Sequence, residues 1–118
     1  MICTFLISDR FPKIPEQRLR RFIARCAVEG YSTFLVRESG TSSRALYGYL
    51  TEIAEILPEI TFSYTSDDDE TLIRRSDLLF ITPDTENQNA ETLSYRLGKT
   101  VVLPGNLPPL FDGFPYFD

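Results

Sequence analysis

The short apolar run Leu78-Leu79-Phe80-Ile81 is the feature that most constrains what this chain folds into. Polar residues precede it at 75–77 and follow it at 82–84. Four consecutive apolar residues without polar alternation are typical of a strand covered on both faces, as at the centre of a parallel α/β sheet. Ligands of such sheets bind beyond the carboxyl ends of the strands. We therefore expect function first in residues 82–89.

Four further segments have the composition of strands and alternate along the chain with four helical patterns. In one of them Ile60, Phe62 and Tyr64 alternate with hydroxyl residues, which is typical of a half-exposed edge strand. The alternation predicts an α/β fold: a Rossmann-like three-layer α/β/α sandwich whose five-stranded parallel sheet has the order 3-2-1-4-5. The predicted strands are 2–7, 33–36, 60–64, 78–81 and 100–103, and the predicted helices are 16–28, 45–57, a short helix that follows the acidic run 67–70 and ends at 75, and 90–97.

The chain of 118 residues has the length of one domain. We predict that residues 1–104 form the Rossmann-like domain. Residues 105–118 are rich in proline and aromatic residues and have no periodicity, which excludes a regular element. Because this segment is so apolar, we predict that it docks, either on its own domain or on a partner subunit in a homodimer.

Charge and composition exclude several classes of function. The net charge of −5 argues against an extended nucleic-acid surface, which needs clustered Lys and Arg. The start of the chain has no basic segment followed by a long apolar run, so we expect neither a leader nor a membrane span, and a cytoplasmic location. With no histidine, Ser-His and Cys-His nucleophile pairs and the usual zinc sites are excluded, and we expect no metal and no cofactor.

The cysteines and the acidic run have structural explanations. Cys3 falls on a predicted strand and Cys26 on the apolar face of a predicted helix, which suits buried thiols better than a disulfide. The acidic run 67–70 offers ligands for a cation, but a helix N-cap with acidic residues in the first turn also explains it.

Polar loops follow three of the predicted strands and converge on one edge of the sheet. In the second loop a glycine precedes a helix, which aims free backbone N–H groups and the positive end of the helix dipole at that edge. We expect Arg10 to pair with a phosphate while the hydroxyls and amides near Thr41 cap it. The candidate ligand-binding residues are Ser8, Asp9, Arg10, Arg37, Gly40, Thr41, Ser42, Asp84 and Asn87.

The order of these segments resembles the SLOG superfamily, the Rossmann-like group that includes Smf/DprA and Lonely-guy proteins, and within it the YpsA-like branch. The resemblance covers about residues 2–104. It rests on residues 5–10, where that branch has a TGHR turn, and on residues 34–45, where it has a Gly-rich loop leading into a helix. It rests also on residues 76–80, similar to the "SDxxx" strand, and on 95–102, similar to the "YAxxxGKxV" ending. The resemblance implies a nucleotide-like ligand.

The departures from this pattern fall on the ligand motifs. Ser8 and Asp9 replace the Gly and His of the turn, and Asn87-Gln88-Asn89 replaces Gly-Gly-Thr before the last helix. Side chains there obstruct the close backbone approach that glycine allows to a phosphate. Either the ligand differs or the site has decayed. Glu91 lies near the catalytic acid of Lonely-guy enzymes, one residue short in its spacing to Gly98, and a first-turn Glu is also explained by the helix dipole.

Three functions stay open from the sequence. The first is a domain that binds a nucleotide or nucleotide-like anion at the carboxyl ends of the strands. The second is a non-catalytic interaction or oligomerisation module with a decayed pocket. The third is an N-glycoside hydrolase or transferase acting on nucleotides through Glu91, Glu38 or Asp84, since two carboxylates do such work without histidine.

Overall fold

The computed structural model describes residues 1–9, 16–83 and 85–103. The tail predicted at 105–118, together with Arg10 and Asp84, lies outside these residues. Strands and helices alternate through the described chain. The strands are β1 (Ile2–Leu6), β2 (Thr33–Arg37), β3 (Thr61–Thr65), β4 (Leu78–Ile81) and β5 (Thr100–Val102). The helices are α1 (Glu16–Val28), α2 (Thr41–Ile56), α3 (Asp69–Arg75) and α4 (Gln88–Arg96), and a 3₁₀ turn, Thr85–Asn87, leads into α4.

The five strands form one sheet of order β3-β2-β1-β4-β5, and every pairing is parallel. The predicted fold class and strand order are therefore confirmed. In the central strand, Phe5 is in register with Val36 of β2 and with Phe80 of β4. The half-exposed strand predicted near residue 60 is indeed the terminal strand, β3.

Two apolar clusters cover the two faces of the sheet, and this explains the unbroken apolar run in β4. Leu78 and Phe80 pack into the cluster that contains the buried side chains of α1 and α2. Leu79 and Ile81 pack on the opposite face with the buried side chains of α3 and α4. Alternate residues of a strand point to opposite faces, so a strand between two helical layers is apolar at every position.

The first cluster is built around aromatic rings. Phe5 lies at the centre of the sheet, with ring centroids 5.9 Å from Phe22 of α1, 6.3 Å from Phe34 and 5.2 Å from Phe80. Both cysteines, Cys3 and Cys26, are buried in this cluster as free thiols, as predicted. Burial raises the pKa of the Cys3 thiol, and the neighbouring Cys26 raises it further.

Helix α1 spans Glu16–Val28 as predicted, whereas α2 and α4 begin earlier than predicted, and a tertiary contact explains the start of α2. We expected a loop through residue 44, but α2 begins at Thr41, where the carboxylate of Asp9 supplies its cap. Helix α4 begins at Gln88, whereas the sequence predicted Ala90. At α3 the expected N-cap is confirmed, because Asp68 accepts a 2.8 Å hydrogen bond from the N–H of Thr71.

The direction of the strand order changes between β1 and β4, and we call the position between the carboxyl ends of these two strands the crevice. From β1 the chain passes to β2 and β3 on one side, and later occupies β4 and β5 on the other. The strands β1 and β4 are neighbours, but the loops that follow them lead to opposite sides of the sheet. Open α/β sheets bind ligands at such a position. No described helix is long and apolar enough to cross a membrane.

Candidate functional site

The fold brings the described candidate residues to the same edge of the sheet. Ser8 and Asp9 follow β1, Arg37 ends β2, and Asn87 directly precedes α4. Gly40, Thr41 and Ser42 mark the start of α2. The roles predicted for Arg10 and Asp84 concern residues outside the described part of the chain.

The carboxylate of Asp9 occupies the N-terminus of α2. Its Oδ1 accepts a 2.7 Å hydrogen bond from the N–H of Ser42, and its Oδ2 accepts one of 3.2 Å from the N–H of Thr41. These N–H groups belong to the first turn of a helix, where anions are favoured. The chain's own carboxylate therefore lies where we predicted the phosphate of a ligand.

Gly40 makes this arrangement possible. Its φ of 127° lies in a region that residues with a side chain rarely adopt. A Cβ at this position would lie 2.0 Å from Oδ2 of Asp9. The glycine therefore admits an oxyanion to the start of α2, and in this chain the oxyanion is Asp9.

Hydrogen bonds from Ser42 and, to a lesser extent, from Thr41 hold the pKa of Asp9 below its ordinary value of 3.8, although desolvation opposes them. A carboxyl whose pKa is lower in the folded state contributes stability above its unfolded pKa. That contribution disappears as the pH falls through the folded value. We expect Asp9 to stay ionised at neutral pH and its cap to weaken only in acid.

Replacing Gly40 with alanine is expected to destabilise the fold. The backbone conformation alone costs about 1–3 kcal/mol for a residue with a side chain, and the added methyl also displaces the Asp9 carboxylate. Gly48→Ala in the same helix is the control. Its Cβ meets nothing within 4 Å, so alanine should stabilise the helix by about 0.5–1 kcal/mol. Urea unfolding of both variants measures the two effects, and loss of stability at Gly48 alone would contradict this account.

Ser43 ties the loop before α2 to its neighbours. Its hydroxyl accepts a 2.9 Å hydrogen bond from the N–H of Ser39 and donates one of 3.0 Å to the carbonyl of Gly40. The hydroxyl of Tyr64, on β3, lies 2.9 Å away. Ser39 in turn donates to the carbonyl of Ile7. The loop is held against both β1 and β3, which fixes the cap of α2.

Across the crevice, Ser8 joins the ends of β1 and β4. Its N–H donates a 2.9 Å hydrogen bond to the hydroxyl of Thr82, and its own hydroxyl donates to the carboxylate of Glu86. Ser8 and Thr82 are buried, whereas Glu86 is exposed. The residues after β1 therefore contact two carboxylate sites, since Asp9 caps α2 and its neighbour Ser8 bonds to Glu86.

Asn87 is buried and uses its side-chain amide within the protein. Nδ2 lies 3.0 Å from the carbonyl of Leu6, 3.0 Å from that of Thr82 and 2.8 Å from the hydroxyl of Thr82. Oδ1 accepts a 2.8 Å hydrogen bond from Nη2 of Arg37. The amide thus joins the ends of β1, β4 and β2 beneath the crevice.

Arg37 is a buried cation on the α3/α4 face, with 8% of its surface exposed. Nη1 donates a 2.8 Å hydrogen bond to Oδ1 of Asp69, at the start of α3, and Nη2 reaches Asn87 at the start of α4. Its Nε is buried without a hydrogen-bond partner among the described residues. Because buried charges need partners, Asp69 and Asn87 are required to hold this guanidinium at the sheet edge.

Glu86 and Asp69 are site residues that the sequence did not predict. The sequence carries no local signal for Asp69, because it lies on α3 and its partner, Arg37, lies on β2.

Two of the three candidate acids, Glu91 and Glu38, lie in the described part of the chain. Glu91 is half-buried in α4 and makes no hydrogen bond or ion pair with the described site residues. Glu38 is exposed, and its N–H donates to the carbonyl of Thr65 at 2.7 Å. No group of three Cys, Asp or Glu among the described residues is placed to hold a metal ion.

Comparisons of the chain with protein-family models, with curated proteins and with solved structures found no match.

Proposed function

We propose that the carboxyl edge of the sheet binds a small nucleotide-like anion, whose phosphate or carboxylate takes the position that the Asp9 carboxylate holds. The observation that carries this proposal is the fit of an oxyanion between the N–H groups of Thr41 and Ser42, in space left by the missing side chain of Gly40. An exposed side chain, Asp9, fills that space. A soluble anion is able to compete for it.

Electrostatics favour a phosphate in this competition. The start of a helix of 16 residues attracts negative charge. A phosphate monoester carries about −1.5 to −2 charges at neutral pH and three acceptor oxygens, whereas Asp9 carries one charge. The displaced Asp9 would be hydrated, since it is exposed. The resemblance to the SLOG superfamily points to the same edge and the same ligand class.

The other site residues have distinct roles in this proposal. Ser8 and Asn87 are held by internal hydrogen bonds and shape the crevice. Arg37 lies beneath it and adds a positive charge without touching the ligand. The predicted role of Arg10 is to pair with the phosphate from the loop after β1.

Thermal unfolding against nucleotides, nucleoside monophosphates, and cyclic and signalling nucleotides tests the proposal. A ligand at about a hundred times its dissociation constant stabilises the native state by about 2.7 kcal/mol, which gives a clear shift in the midpoint. We expect at least one phosphate-bearing compound to give it. Arg10→Ala should weaken the affinity, and Asp9→Asn should strengthen it, because the neutral amide keeps the shape of the cap but no longer competes as an anion.

Glu55→Gln is the matched control for Asp9→Asn. It removes one exposed carboxylate near the other end of α2 and changes the net charge equally. If Asp9→Asn weakens binding, Asp9 contacts the ligand and the displacement is wrong. If no compound in the panel shifts the midpoint, the binding function itself is wrong.

A further inference from the structure

Among the described residues, the main-chain groups on the outer edge of β3 have no partner strand, and they follow a defined pattern. In the described structure β3 is the last strand of the sheet and pairs with β2 alone. The N–H of Thr61 donates to the carbonyl of Ser32 at 2.9 Å, and the carbonyl of Thr65 accepts from Glu38 at 2.7 Å. Residues of an edge strand direct these groups alternately inward and outward. Those of Phe62 and Tyr64 therefore point away from the sheet.

The side chains along this edge do not protect it. Edge strands are usually blocked by a charged residue, a proline or a bulge. Residues 60–66 contain no charged residue and no proline, and β3 is in unbroken register with β2 over its whole length. This makes the edge open to pairing with another strand.

The sequence of β3 is nearly the same when it is read in the opposite direction. Thr61-Phe62-Ser63-Tyr64-Thr65 has the same residue classes in both directions, with hydroxyl residues at both ends, aromatic residues inside them and serine at the centre. A twofold interface needs a surface that is complementary to its own copy. An antiparallel pair of β3 strands satisfies that requirement when Ser63 lies on the axis.

We propose that β3 pairs with β3 of a second copy of this chain, antiparallel and centred on Ser63, so that two sheets join into one. In this register Phe62 lies opposite Tyr64 of the other copy, and the outward groups of both residues meet as hydrogen-bonded pairs. Ser63 then faces its own copy in a non-hydrogen-bonded pair, with Cα atoms about 4.5 Å apart. The inward groups that pair with β2 are left undisturbed.

The side chains agree with this register. Phe62 and Tyr64 are partly buried against the α1/α2 cluster, where each would meet an aromatic ring of the other copy. Aromatic cross-strand pairs stabilise antiparallel pairing. Ser63, on the other face, is half-buried and uncharged. Nothing of like charge is opposed within the strands.

The neighbouring registers are poorer. A pair centred on Phe62 places Tyr64 opposite Ile60, whose N–H already donates to the carbonyl of Leu57 at 3.1 Å. A pair centred on Tyr64 places Phe62 opposite Ser66, which lies beyond the strand. Only the Ser63 register uses the outward groups of both aromatic residues within β3.

Sedimentation velocity over a wide range of concentration tests this dimer with paired charge variants. The natural chain should show a monomer–dimer equilibrium. Ser63→Lys and Ser63→Glu each oppose two like charges on the axis and should each weaken dimerisation roughly fivefold or more. Mixed in equal amounts, the two variants should restore a dimer, because lysine then faces glutamate.

Thr100→Lys is the control, since it adds the same charge at an exposed position of β5, on the opposite edge. It should leave dimerisation unchanged. Thermal unfolding of each variant shows that it folds. A natural chain that stays monomeric, as it would if the C-terminal segment or another protein covered this edge, would overturn the proposal. So would a dimer that the Ser63 variants do not weaken, or one that the mixture does not restore. None of these outcomes bears on the ligand site, because the variants lie outside it.

Discussion

Replacing Arg37 with alanine is expected to lower the free energy of unfolding by about 3 kcal/mol, the lower end of the range for breaking a buried charged pair. The lower end applies because the Asp69 side chain is 38% exposed and is able to hydrate when its partner is lost. The variant also leaves Oδ1 of Asn87 without the Nη2 donor and opens a cavity under the ends of three strands. Urea unfolding at neutral pH measures the loss.

Two other variants separate the contributions. Arg74→Ala breaks an ion pair with Glu70 whose side chains are 58% and 60% exposed, and should cost less than about 1 kcal/mol. Arg37→Met keeps the apolar stem and removes the charge together with Nε, which has no hydrogen-bond partner in the described part of the chain. If methionine restores most of the stability lost in the alanine variant, the packing of the apolar stem accounts for most of what Arg37 contributes to the free energy of unfolding. If Arg37→Ala costs no more than Arg74→Ala, the buried network does not stabilise the fold.

The sheet was predictable because its signals are local. An unbroken apolar run occurs where both faces are covered, and β4 satisfies this with Leu78 and Phe80 on one face and Leu79 and Ile81 on the other. Alternation occurs where one face is solvated, and β3 shows it at the sheet edge. Both patterns depend on residues within a few positions of each other, so they can be recognised in a single sequence.

The site was predictable only in its position. Polar residues after strands predicted the edge of the sheet, but not the partners of those residues. Asp9 caps a helix more than thirty residues away, and this long-range cap explains why α2 begins at Thr41. In the acidic run, a local N-cap was predicted and Asp68 provides it, whereas the ion pair of Asp69 with Arg37 depends on the tertiary fold.

The described candidate residues bond largely to the chain itself. Asp9 caps α2, and Ser8 donates a hydrogen bond to Glu86. Asn87 donates hydrogen bonds to the chain at the ends of β1 and β4. Glycines of a nucleotide-binding loop leave such positions open for a ligand, whereas side chains fill them. The two interpretations of the sequence therefore differ in one measurable respect. In a retained site, an incoming anion must displace the Asp9 carboxylate from the start of α2. In a decayed site, Asp9 stays there whatever anion is added.

Replacing Asn87 with alanine is expected to cost about 3 kcal/mol, because several buried groups lose a partner at once. Each buried polar group left without a hydrogen bond costs about 1–3 kcal/mol. The carbonyl of Thr82 and Nη2 of Arg37 lose the hydrogen bonds that Asn87 makes to them. The carbonyl of Leu6 still accepts from the N–H of Thr82 at 3.1 Å, which limits the loss. Urea unfolding measures it.

Asn89→Ala is the matched control, since this exposed asparagine lies two residues further along the chain, in the first turn of α4, and should change stability by no more than about 0.5 kcal/mol. Asn87→Asp keeps an acceptor for Arg37 but sets a carboxylate oxygen against the carbonyls of Leu6 and Thr82, so it should also destabilise. In a double-mutant cycle with Arg37→Ala, two residues in one network should show a coupling of about 0.5–3 kcal/mol. Simple additivity would mean that the hydrogen bond between Arg37 and Asn87 contributes nothing, and that each residue stabilises the sheet edge on its own.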